Sequence, residues 1–284
     1  MGQDLWRDSV AARQVFDIAD EVLGYKLTEV CFEGPAERLT ATDVCQPALV
    51  ATSIAAFRVA ADAGLRPGLA MGHSLGEYSA LVAAGAMAYD EALRIVAERG
   101  AAMRHAGRAA PGAMVALLGL SDDDARALAA DAGVWPANYN CPGQVVVSGD
   151  AEGIERLLAL AADGGGRATR LDVDGAFHSP LMAPAADRLR PALAAWEPVA
   201  PDPPFLSTTT CALEPPGRLR EVLLEQLTSP VRFGDAVEAA LAAGAEGFVE
   251  LGHGRVLSAL VRRVRRGVAV SQVGEPADVE ALVA

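Results

Sequence analysis

A lone serine between two glycines is the feature that most restricts how this chain can fold. In the segment GLAMGHSLGEYSALVAAG, Ser74 lies between Gly72 and Gly76, after a short apolar run and before a run with helical character. Glycine is required where the backbone turns too tightly for a side chain, and we expect side chains at both glycines to collide with neighbouring backbone. The pattern therefore predicts a strand over 68–71, a strained turn at the serine and a helix over 75–84.

The same five residues carry a chemical motif. The sequence GHSLG fits G-x-S-x-G, and the predicted strand-turn-helix context is that of a nucleophile elbow. Such a turn presents the Ser74 hydroxyl at the carboxyl edge of the sheet, where open α/β sheets bind ligands. The N–H of Leu75 then points into the site as an oxyanion donor, helped by the N-terminus of the helix. A glycine-flanked turn with a capping serine is the alternative interpretation.

Strands that alternate with helices predict a doubly wound, mainly parallel sheet for most of the chain. Apolar spacing predicts long helices over 4–22 and 43–63 in the first third. We assign the segments 1–111 and 177–284 to one large α/β subdomain with a hydrolase-like architecture.

The middle of the chain follows a different order. Between 112 and 176 the predicted elements run βαββαβ, and the last of them is a strand over 167–175. This split βαβ order is typical of a ferredoxin-like unit. We therefore predict that 112–176 forms a small ferredoxin-like subdomain inserted into the large one.

A serine nucleophile needs a base, and the chain has four histidines. His73 adjoins the serine, where adjacent side chains point apart, so packing or ordering of the substrate site is the expected role. His105 ends a helix and His253 lies in a strand-to-helix turn, and both positions favour structural roles. His178, in GAFHSPLM, lies where the inserted subdomain rejoins the large one and can face a cleft between them. We favour His178 as the base, with a satisfied core histidine as the alternative.

Charge and composition exclude several classes of protein. The net charge of −13 argues against a general nucleic-acid or membrane-surface binder. We expect no apolar run near the ~18 residues of a membrane span, and the N-terminus is unlike a secretory signal. The four cysteines form no CxxC pair and the four histidines share no metal-ligand spacing. The sequence thus predicts reduced thiols, no metal site and a cytoplasmic protein.

Five segments together resemble a known family. They are GHSLGEYSALVAAG, AERG at 97–100, NCPGQVVVSG at 140–149, AFHSPLM at 176–182 and ELGHGRVLSALV at 250–261. In order and spacing they are similar to the malonyl-CoA:acyl-carrier-protein transacylase family, which includes the acyltransferase domains of polyketide synthases. The resemblance spans nearly the whole chain. It implies transfer of a malonyl group from CoA to the phosphopantetheine thiol of an acyl carrier protein, in fatty acid or polyketide biosynthesis.

The resemblance also implies roles for individual residues. Ser74 matches the acyl-accepting serine and His178 its base, while the Leu75 N–H matches an oxyanion donor. Arg99 matches the arginine that holds the free carboxylate of the substrate, and a guanidinium fork suits a carboxylate chemically. Gln226 matches a position whose backbone carbonyl orients the histidine.

Two further positions are expected near the substrate. Asn140 matches a residue whose side chain helps to order the active site. Phe177 belongs to an AFH run that resembles the malonyl-type pattern of polyketide acyltransferases, in which a bulky ring leaves little room for an α-methyl group. Gly175 departs from the histidine usual at the start of that pattern. Ordinary core packing is the alternative for Phe177.

The resemblance further implies malonyl-CoA and a phosphopantetheinylated acyl carrier protein as partners, no cofactor beyond the CoA thioester, and a monomer. Carrier proteins are acidic, so the basic run VRRVRRG at 261–267 is a candidate docking element. A solvated helix face is the alternative for that run.

Other functions stay open at the level of sequence. Family members usually begin with an extra strand and a PGQG loop that supplies a second oxyanion donor, whereas this sequence begins just past that loop. A start site placed too far downstream, a fragment, and a catalytically impaired member are the three explanations. A hydrolase that clears acyl groups from carrier proteins needs Ser74 and His178 but not Arg99. A non-catalytic partner within a synthase complex needs none of the three.

Overall fold

The computed structural model describes residues 1–163, 166–173 and 175–283 of the chain. The helices are α1 (Gln3–Asp8), α2 (Val10–Leu23), α3 (Leu27–Glu33), α4 (Ala36–Thr40), α5 (Thr42–Asp62), α6 (Gly76–Ala83), α7 (Tyr89–Ala109), α8 (Asp122–Ala132), α9 (Ala151–Asp163), α10 (Ala183–Ala195), α11 (Leu219–Thr228), α12 (Phe233–Ala242), α13 (Val256–Val264) and α14 (Pro276–Val283). The strands are β1 (Ala70–Met71), β2 (Gly112–Leu118), β3 (Trp135–Cys141), β4 (Gln144–Asp150), β5 (Arg167–Arg170), β6 (Phe205–Leu206), β7 (Gly247–Leu251) and β8 (Ala269–Val273). Single turns of 3-10 helix at Pro180–Met182 and Pro216–Arg218 precede α10 and α11.

The first predicted helix is interrupted. Instead of one helix over 4–22, α1 ends at Asp8 and α2 begins at Val10. Ser9 between them is extended, with φ −126° and ψ 131°, and its hydroxyl accepts a hydrogen bond from the Ala12 N–H at 3.3 Å. Serine is a favoured N-cap because its oxygen satisfies a free N–H of the first turn. The apolar periodicity continues across Ser9, which explains the prediction of one helix. The capping serine was the feature that indicated two.

Helix α5 corrects one expectation from the sequence. By length and composition it is apolar enough to cross a membrane, although we expected no such segment. In the structure α5 packs against α2 and α7. Its inward residues are almost completely buried: Ala48, Val50, Ala51, Ile54, Ala55, Ala56 and Ala60. An all-round apolar helix is also typical of the core of a large domain, and we interpret α5 as such a core helix.

The strands of the large α/β part form two separate two-stranded parallel sheets. Strands β1 and β6 pair in parallel, with Ala70 opposite Phe205, and β7 pairs in parallel with β8 from Gly247 opposite Ala269 onward. Parallel neighbours require crossover connections, and helices provide them here. The predicted α/β class, with parallel strands in this part and helices packed around them, is confirmed.

The middle of the chain forms a separate antiparallel sheet in the order β3-β4-β2-β5. Helices α8 and α9 pack on one face, over a cluster of alternate strand residues. That cluster includes Val115, Leu117, Val145, Val147, Ile154 and Leu157. The order of elements is the predicted βαββαβ, whereas the exact limits 112 and 176 of a subdomain stay a prediction.

The last strand of this sheet is shorter than predicted. It ends at Arg170 rather than continuing to 175. The Leu171 N–H still bonds to the Met114 carbonyl, but the Val173 N–H turns back to the Leu171 carbonyl. The apparent alternation over 171–173 therefore belongs to a turn, and Asp174, also in the predicted strand, lies outside the described residues.

Candidate active site

The turn after β1 has the geometry of a nucleophile elbow. Ser74 has φ 50°, a left-handed conformation that non-glycine residues rarely adopt. A Cβ on Gly72 would lie 2.0 Å from the Gly76 carbonyl carbon, so no side chain fits there. A Cβ on Gly76 would meet nothing within 4 Å, and the predicted collision at that position is wrong. The close contact is between Gly72 and the backbone of Gly76 and Glu77 at the start of α6, whereas a side chain at Gly76 would have free space around it.

The serine and one histidine meet across 104 residues of sequence. Ser74 Oγ lies 2.8 Å from His178 Nε2, and His178 Nδ1 lies 2.8 Å from the backbone carbonyl oxygen of Gln226. A carbonyl can only accept, so Nδ1 carries the proton and Nε2 is the acceptor for the serine hydroxyl. This tautomer is the one that a general base requires.

Hydrogen bonds from the antiparallel sheet hold the histidine in place. His178 is 5% exposed and has φ 55°. The hydroxyl of Ser148, on β4, donates to the Phe177 carbonyl at 2.5 Å, and Ser179 donates to the Ala176 carbonyl at 2.6 Å. The backbone on both sides of the imidazole is thereby anchored.

Burial keeps the imidazole neutral. It lowers the pKa of His178 from 6.5 to about 3, and the positive charge of Arg99 lowers it further, while the hydrogen bond to the Gln226 carbonyl opposes both effects. A base that is neutral at all ordinary pH values can accept the serine proton without first losing one of its own.

Arg99, on α7, is a buried cation beside the serine. It is 1% exposed, and burial lowers its pKa. Its Nη2 donates to Ser74 Oγ and to Gln226 Oε1, both at 3.0 Å, and its Nη1 donates to Gln46 Oε1 at 2.6 Å. Its Nε finds no hydrogen-bond partner among the described residues. A guanidinium held by neutral amides, without a carboxylate in contact, is suited to bind an acidic group of a ligand.

Sequence reasoning missed a buried carboxylate under the serine. Glu77, on α6, is completely buried, and its Oε2 accepts from Gln226 Nε2 at 2.6 Å. Its Oε1 accepts from the Thr208 N–H at 2.6 Å, the Thr208 hydroxyl at 2.9 Å and the Ser207 hydroxyl at 3.0 Å. A single charged residue in the mainly apolar helix GEYSALVA was the available signal.

Gln46 was missed as well. It is 7% exposed on α5, and besides accepting from Arg99 it donates from Nε2 toward the Met103 sulfur at 3.4 Å. A buried amide in an apolar helix requires a polar partner. That requirement was visible in the sequence, but the identity of the partner was not.

The Leu75 N–H is free to act as a donor. The N–H groups of Gly76, Glu77 and Tyr78 bond back to the carbonyls of His73, Ser74 and Leu75. The N–H of Leu75 makes no hydrogen bond within residues 1–163, 166–173 and 175–283. It directly follows Ser74 at the start of α6, where an oxyanion formed at that serine would need a donor.

His73 and Asn140 tie the elbow to strand β3. His73 Nε2 lies 2.9 Å from Asn140 Oδ1, and burial lowers the pKa of His73. Asn140 lies on β3, so this bond links the two sheets beside Ser74. Its place supports the ordering role expected for both residues, and neither residue contacts the serine hydroxyl through a recorded hydrogen bond.

Phe177, next to His178, packs on the antiparallel sheet. It packs partly buried against Met114, Ala116 and Val146 on the face of the sheet opposite α8 and α9. A Cβ on Gly175 would lie 2.8 Å from a Phe177 ring carbon, so the glycine leaves room for the ring in this position. Asp172 is exposed, and Asp174 lies outside the described residues.

The other histidines do not join the site. His105 and His253 are exposed and make no recorded hydrogen bond to Ser74. Within the described ranges, no group of three or more His, Cys, Asp or Glu side chains could hold a metal ion. The four cysteines are free thiols.

Comparisons with known proteins show the family to which the chain belongs. A protein-family model described as "Acyl transferase domain" matches residues 1–282. A malonyl CoA-acyl carrier protein transacylase of Bacillus subtilis is 43% identical over 290 residues, which cover 99% of this chain and 90% of that protein.

Solved structures show the same fold. The malonyl CoA-acyl carrier protein transacylase of Coxiella burnetii has a TM-score of 0.97 at 32% identity, covering 100% of this chain and 92% of that one. A malonyl-transacylase solved in complex with its type II polyketide synthase acyl carrier protein has a TM-score of 0.96 at 36% identity, covering 100% of this chain and 94% of that one.

Proposed function

The chain belongs to the acyl transferase domain family, and we propose that Ser74, His178 and Arg99 form its active site. The enzyme transfers malonyl groups from CoA to an acyl carrier protein, in fatty acid or polyketide biosynthesis. One observation carries the assignment of the site. The Ser74 hydroxyl lies 2.8 Å from His178 Nε2 and 3.0 Å from Arg99 Nη2, so nucleophile, base and carboxylate anchor converge on one atom.

The first half-reaction forms an acyl-serine. His178 Nε2 accepts the proton of Ser74, whose Oγ attacks the thioester carbonyl of malonyl-CoA. The Leu75 N–H donates to the resulting oxyanion. When the intermediate collapses, the C–S bond breaks and the CoA sulfur leaves with the proton from His178. The Gln226 carbonyl stabilises the imidazolium in between, since it accepts from Nδ1.

The second half-reaction reverses these steps with another thiol. The phosphopantetheine thiol of the carrier protein gives its proton to His178 and attacks the malonyl ester, and Ser74 leaves with that proton. Arg99 holds the free carboxylate in both halves. An acyl group without a carboxylate leaves the buried guanidinium unpaired, which disfavours acetyl relative to malonyl.

Further features of the enzyme follow as part of this proposal. Phe177, next to the base, restricts space for an α-methyl group, and Asn140 with His73 orders the elbow. Transfer between two thiols needs a nucleophile, a base and an oxyanion donor, so we propose that no cofactor beyond the CoA thioester takes part. We also propose a cytoplasmic monomer, since free thiols suit a reducing compartment and a monomer is the expectation for the family. The net charge of −13 argues against nucleic-acid or membrane partners.

The test of the proposal is acylation with radiolabelled malonyl-CoA. We expect a stable labelled enzyme that transfers its label to holo acyl carrier protein, and no labelling of Ser74→Ala. Arg99→Ala should lose malonyl labelling but label with acetyl-CoA at least as well as the wild type. Labelling of Ser74→Ala would show that another residue is the nucleophile. An unchanged malonyl preference in Arg99→Ala would show that Arg99 does not bind the substrate carboxylate.

A further inference from the structure

The mechanism above leaves a completely buried carboxylate, Glu77, without a role. Glu77 is 0% exposed and lies three residues after the nucleophile, on α6. A carboxylate buried this completely is costly unless each oxygen is hydrogen-bonded. Both oxygens of Glu77 accept hydrogen bonds, and the donors on its two sides differ. The Oε1 side meets Ser207 and Thr208, whereas the Oε2 side meets, among the described residues, only the amide of Gln226.

The direction of hydrogen bonding along this network is fixed. An ionised carboxylate can only accept, so Gln226 must present Nε2 to Glu77. The amide then presents Oε1 in the opposite direction, where Arg99 Nη2 donates to it at 3.0 Å. With the amide reversed, its NH2 group would face the N–H groups of Arg99 and its oxygen would face the carboxylate. Donation therefore runs one way, from Arg99 to Gln226 to Glu77.

Gln226 is the only side chain through which this carboxylate reaches the reacting groups in the described network. Its Nε2 also donates to the Ser74 carbonyl at 3.0 Å, and its backbone carbonyl accepts from His178 Nδ1 at 2.8 Å. One residue thus contacts the nucleophile, the base and the carboxylate anchor. Any interaction that fixes the Gln226 amide therefore also fixes the Arg99 guanidinium, which donates a hydrogen bond to that amide.

We propose that Glu77 is a positioning residue for malonyl selectivity, which sets the orientation of the Gln226 amide and through it the place of the Arg99 guanidinium. This inference rests on the proposed role of Arg99 in binding the malonyl carboxylate. The intervening amide has a second consequence. A carboxylate in direct contact with Arg99 would compete with the malonyl carboxylate for the guanidinium. Glu77 supplies a negative charge with the Gln226 amide in between, and so leaves the guanidinium available to the substrate.

The positioning effect belongs to the ionised carboxylate. Burial raises the pKa of Glu77 to about 7, and the hydrogen bonds from Thr208, Ser207 and Gln226 act in the opposite direction. A proton on Oε2 would point at the Gln226 NH2 group and break the relay. Assays at about pH 8 keep the carboxylate mainly ionised.

Glu77→Gln is the sharpest test because it keeps the shape of the side chain. In either orientation its new NH2 group meets a donor, namely the Thr208 N–H on one side or the Gln226 amide on the other. The backbone N–H cannot turn, so the Gln226 amide must turn or lose its bond. We expect the malonyl-over-acetyl ratio of acyl-serine formation to fall about tenfold or more, through a raised KM for malonyl-CoA with acetyl transfer nearly unchanged.

Ser207→Ala is the matched control. It removes a donor from Oε1 of the same buried carboxylate but leaves the bond from Gln226 to Oε2 in place. It should lower the melting temperature and keep the wild-type malonyl-over-acetyl ratio. A loss of selectivity in Ser207→Ala equal to that in Glu77→Gln would reduce Glu77 to a general packing role and overturn the proposal.

Glu77→Asp decides the matter if Glu77→Gln yields no folded protein. The shorter carboxylate can keep its donors on Thr208 and Ser207 but then no longer reaches Gln226, so selectivity should fall while the buried charge is retained. A folded Glu77→Gln or Glu77→Asp enzyme with the wild-type ratio overturns the inference. Arg99→Ala measured in parallel distinguishes failure of the Glu77 inference from failure of the proposed function. An unchanged malonyl-over-acetyl ratio in Arg99→Ala contradicts the proposed function itself.

Discussion

Ser74 and His178 both adopt left-handed backbone conformations, with φ values of 50° and 55°. For non-glycine residues such conformations cost of order 1–3 kcal/mol each and persist only where the surroundings fix them. The close packing of Gly72 against α6 fixes the first, and the anchored carbonyls of Ala176 and Phe177 fix the second. The backbone strain thus lies at the two residues whose side chains, Ser74 Oγ and His178 Nε2, are in contact.

The depressed pKa of His178 has a consequence for stability. The folded-state pKa of about 3 lies below the ordinary 6.5, so the unfolded chain binds the proton more readily between these values. The contribution of His178 to the free energy of unfolding is therefore complete above about pH 6.5 and is lost as the pH falls toward 3. Glu77, whose pKa is raised from 4.5 to about 7, acts in the opposite direction over that window.

Comparison of the wild type with His178→Ala isolates the contribution of His178 to the pH dependence of the free energy of unfolding. Between pH 6.5 and pH 5 we expect the free energy of unfolding of the wild type to fall by about 2 kcal/mol more than that of the variant. Urea denaturation at several pH values measures the two slopes, and the Glu77 contribution is common to both proteins. Parallel curves would mean that the imidazole is hydrated in the folded enzyme.

At the scale of elements, the two faces of the antiparallel sheet have different tasks. Successive residues of a strand point to opposite faces, so Val115 and Leu117 pack under α8 and α9 while Met114 and Ala116 pack toward Phe177. Strand β4 adds the hydroxyl of Ser148, which bonds to the Phe177 carbonyl next to the base. The small sheet therefore positions the imidazole for the serine that the large part of the protein presents.

Removal of the Ser148 hydroxyl tests this role of β4. Ser148→Ala leaves the buried Phe177 carbonyl without that partner, so we expect kcat of malonyl transfer to fall roughly 3- to 30-fold with little change in KM, since His178 is held less firmly. Steady-state kinetics with malonyl-CoA and carrier protein measures both parameters.

Ser121→Ala provides the control for that experiment. Ser121 caps α8 by accepting from the Asp124 N–H, on the far face of the same sheet, so its loss should cost about 1 kcal/mol of stability without changing kcat. Equal kinetic effects in the two variants would show that general loosening of the sheet, rather than the Phe177 contact, affects catalysis.

At the scale of the whole molecule, a basic segment interrupts an acidic protein. The net charge is −13, yet Arg262, Arg263, Arg265 and Arg266 are all exposed at the end of α13 and just after it. Arg263 reaches the Gln144 side chain and the Pro142 carbonyl, near the start of β4, and Arg265 pairs with Glu238. Arg262 and Arg266 make no recorded ion pair among the described residues, which leaves their charge available to an acidic partner.

Reversal of these two charges should weaken the encounter with the carrier protein. We expect Arg262→Glu/Arg266→Glu to raise KM for the acyl carrier protein roughly 3- to 10-fold at low salt, with a smaller effect at high salt because exposed charges are screened. The exposed pair Arg58→Glu/Arg188→Glu carries the same charge change on α5 and α10 and should behave like the wild type. A raised KM for malonyl-CoA alone would assign the segment to CoA instead.

Local chemistry explains what was predictable. The elbow is built from consecutive residues, so Gly72, Ser74 and Leu75 predicted its geometry, apart from the open space at Gly76, and led to the chemistry that we propose for it. The βαββαβ order of the middle segment and the parallel arrangement elsewhere followed from periodicity and from the spacing of glycines and caps. Arg99 and Gln226 came from family resemblance, because an arginine or glutamine on a helix has no local pattern that marks it as functional.

The sequence by itself determined the fold class and the elbow, because strand and helix periodicity and a five-residue turn are properties of neighbouring residues. For His178 it left two interpretations, a base and a core histidine, because the contact with Ser74 spans 104 residues. Only the tertiary structure decided how the site is held together. Glu77 and Gln226 are 149 residues apart, and Arg99 and Gln226 are 127 apart. Their relay depends on which donor meets which acceptor after α6, α7 and α11 have packed, and the free energy of burying those polar groups is set only in that packed state.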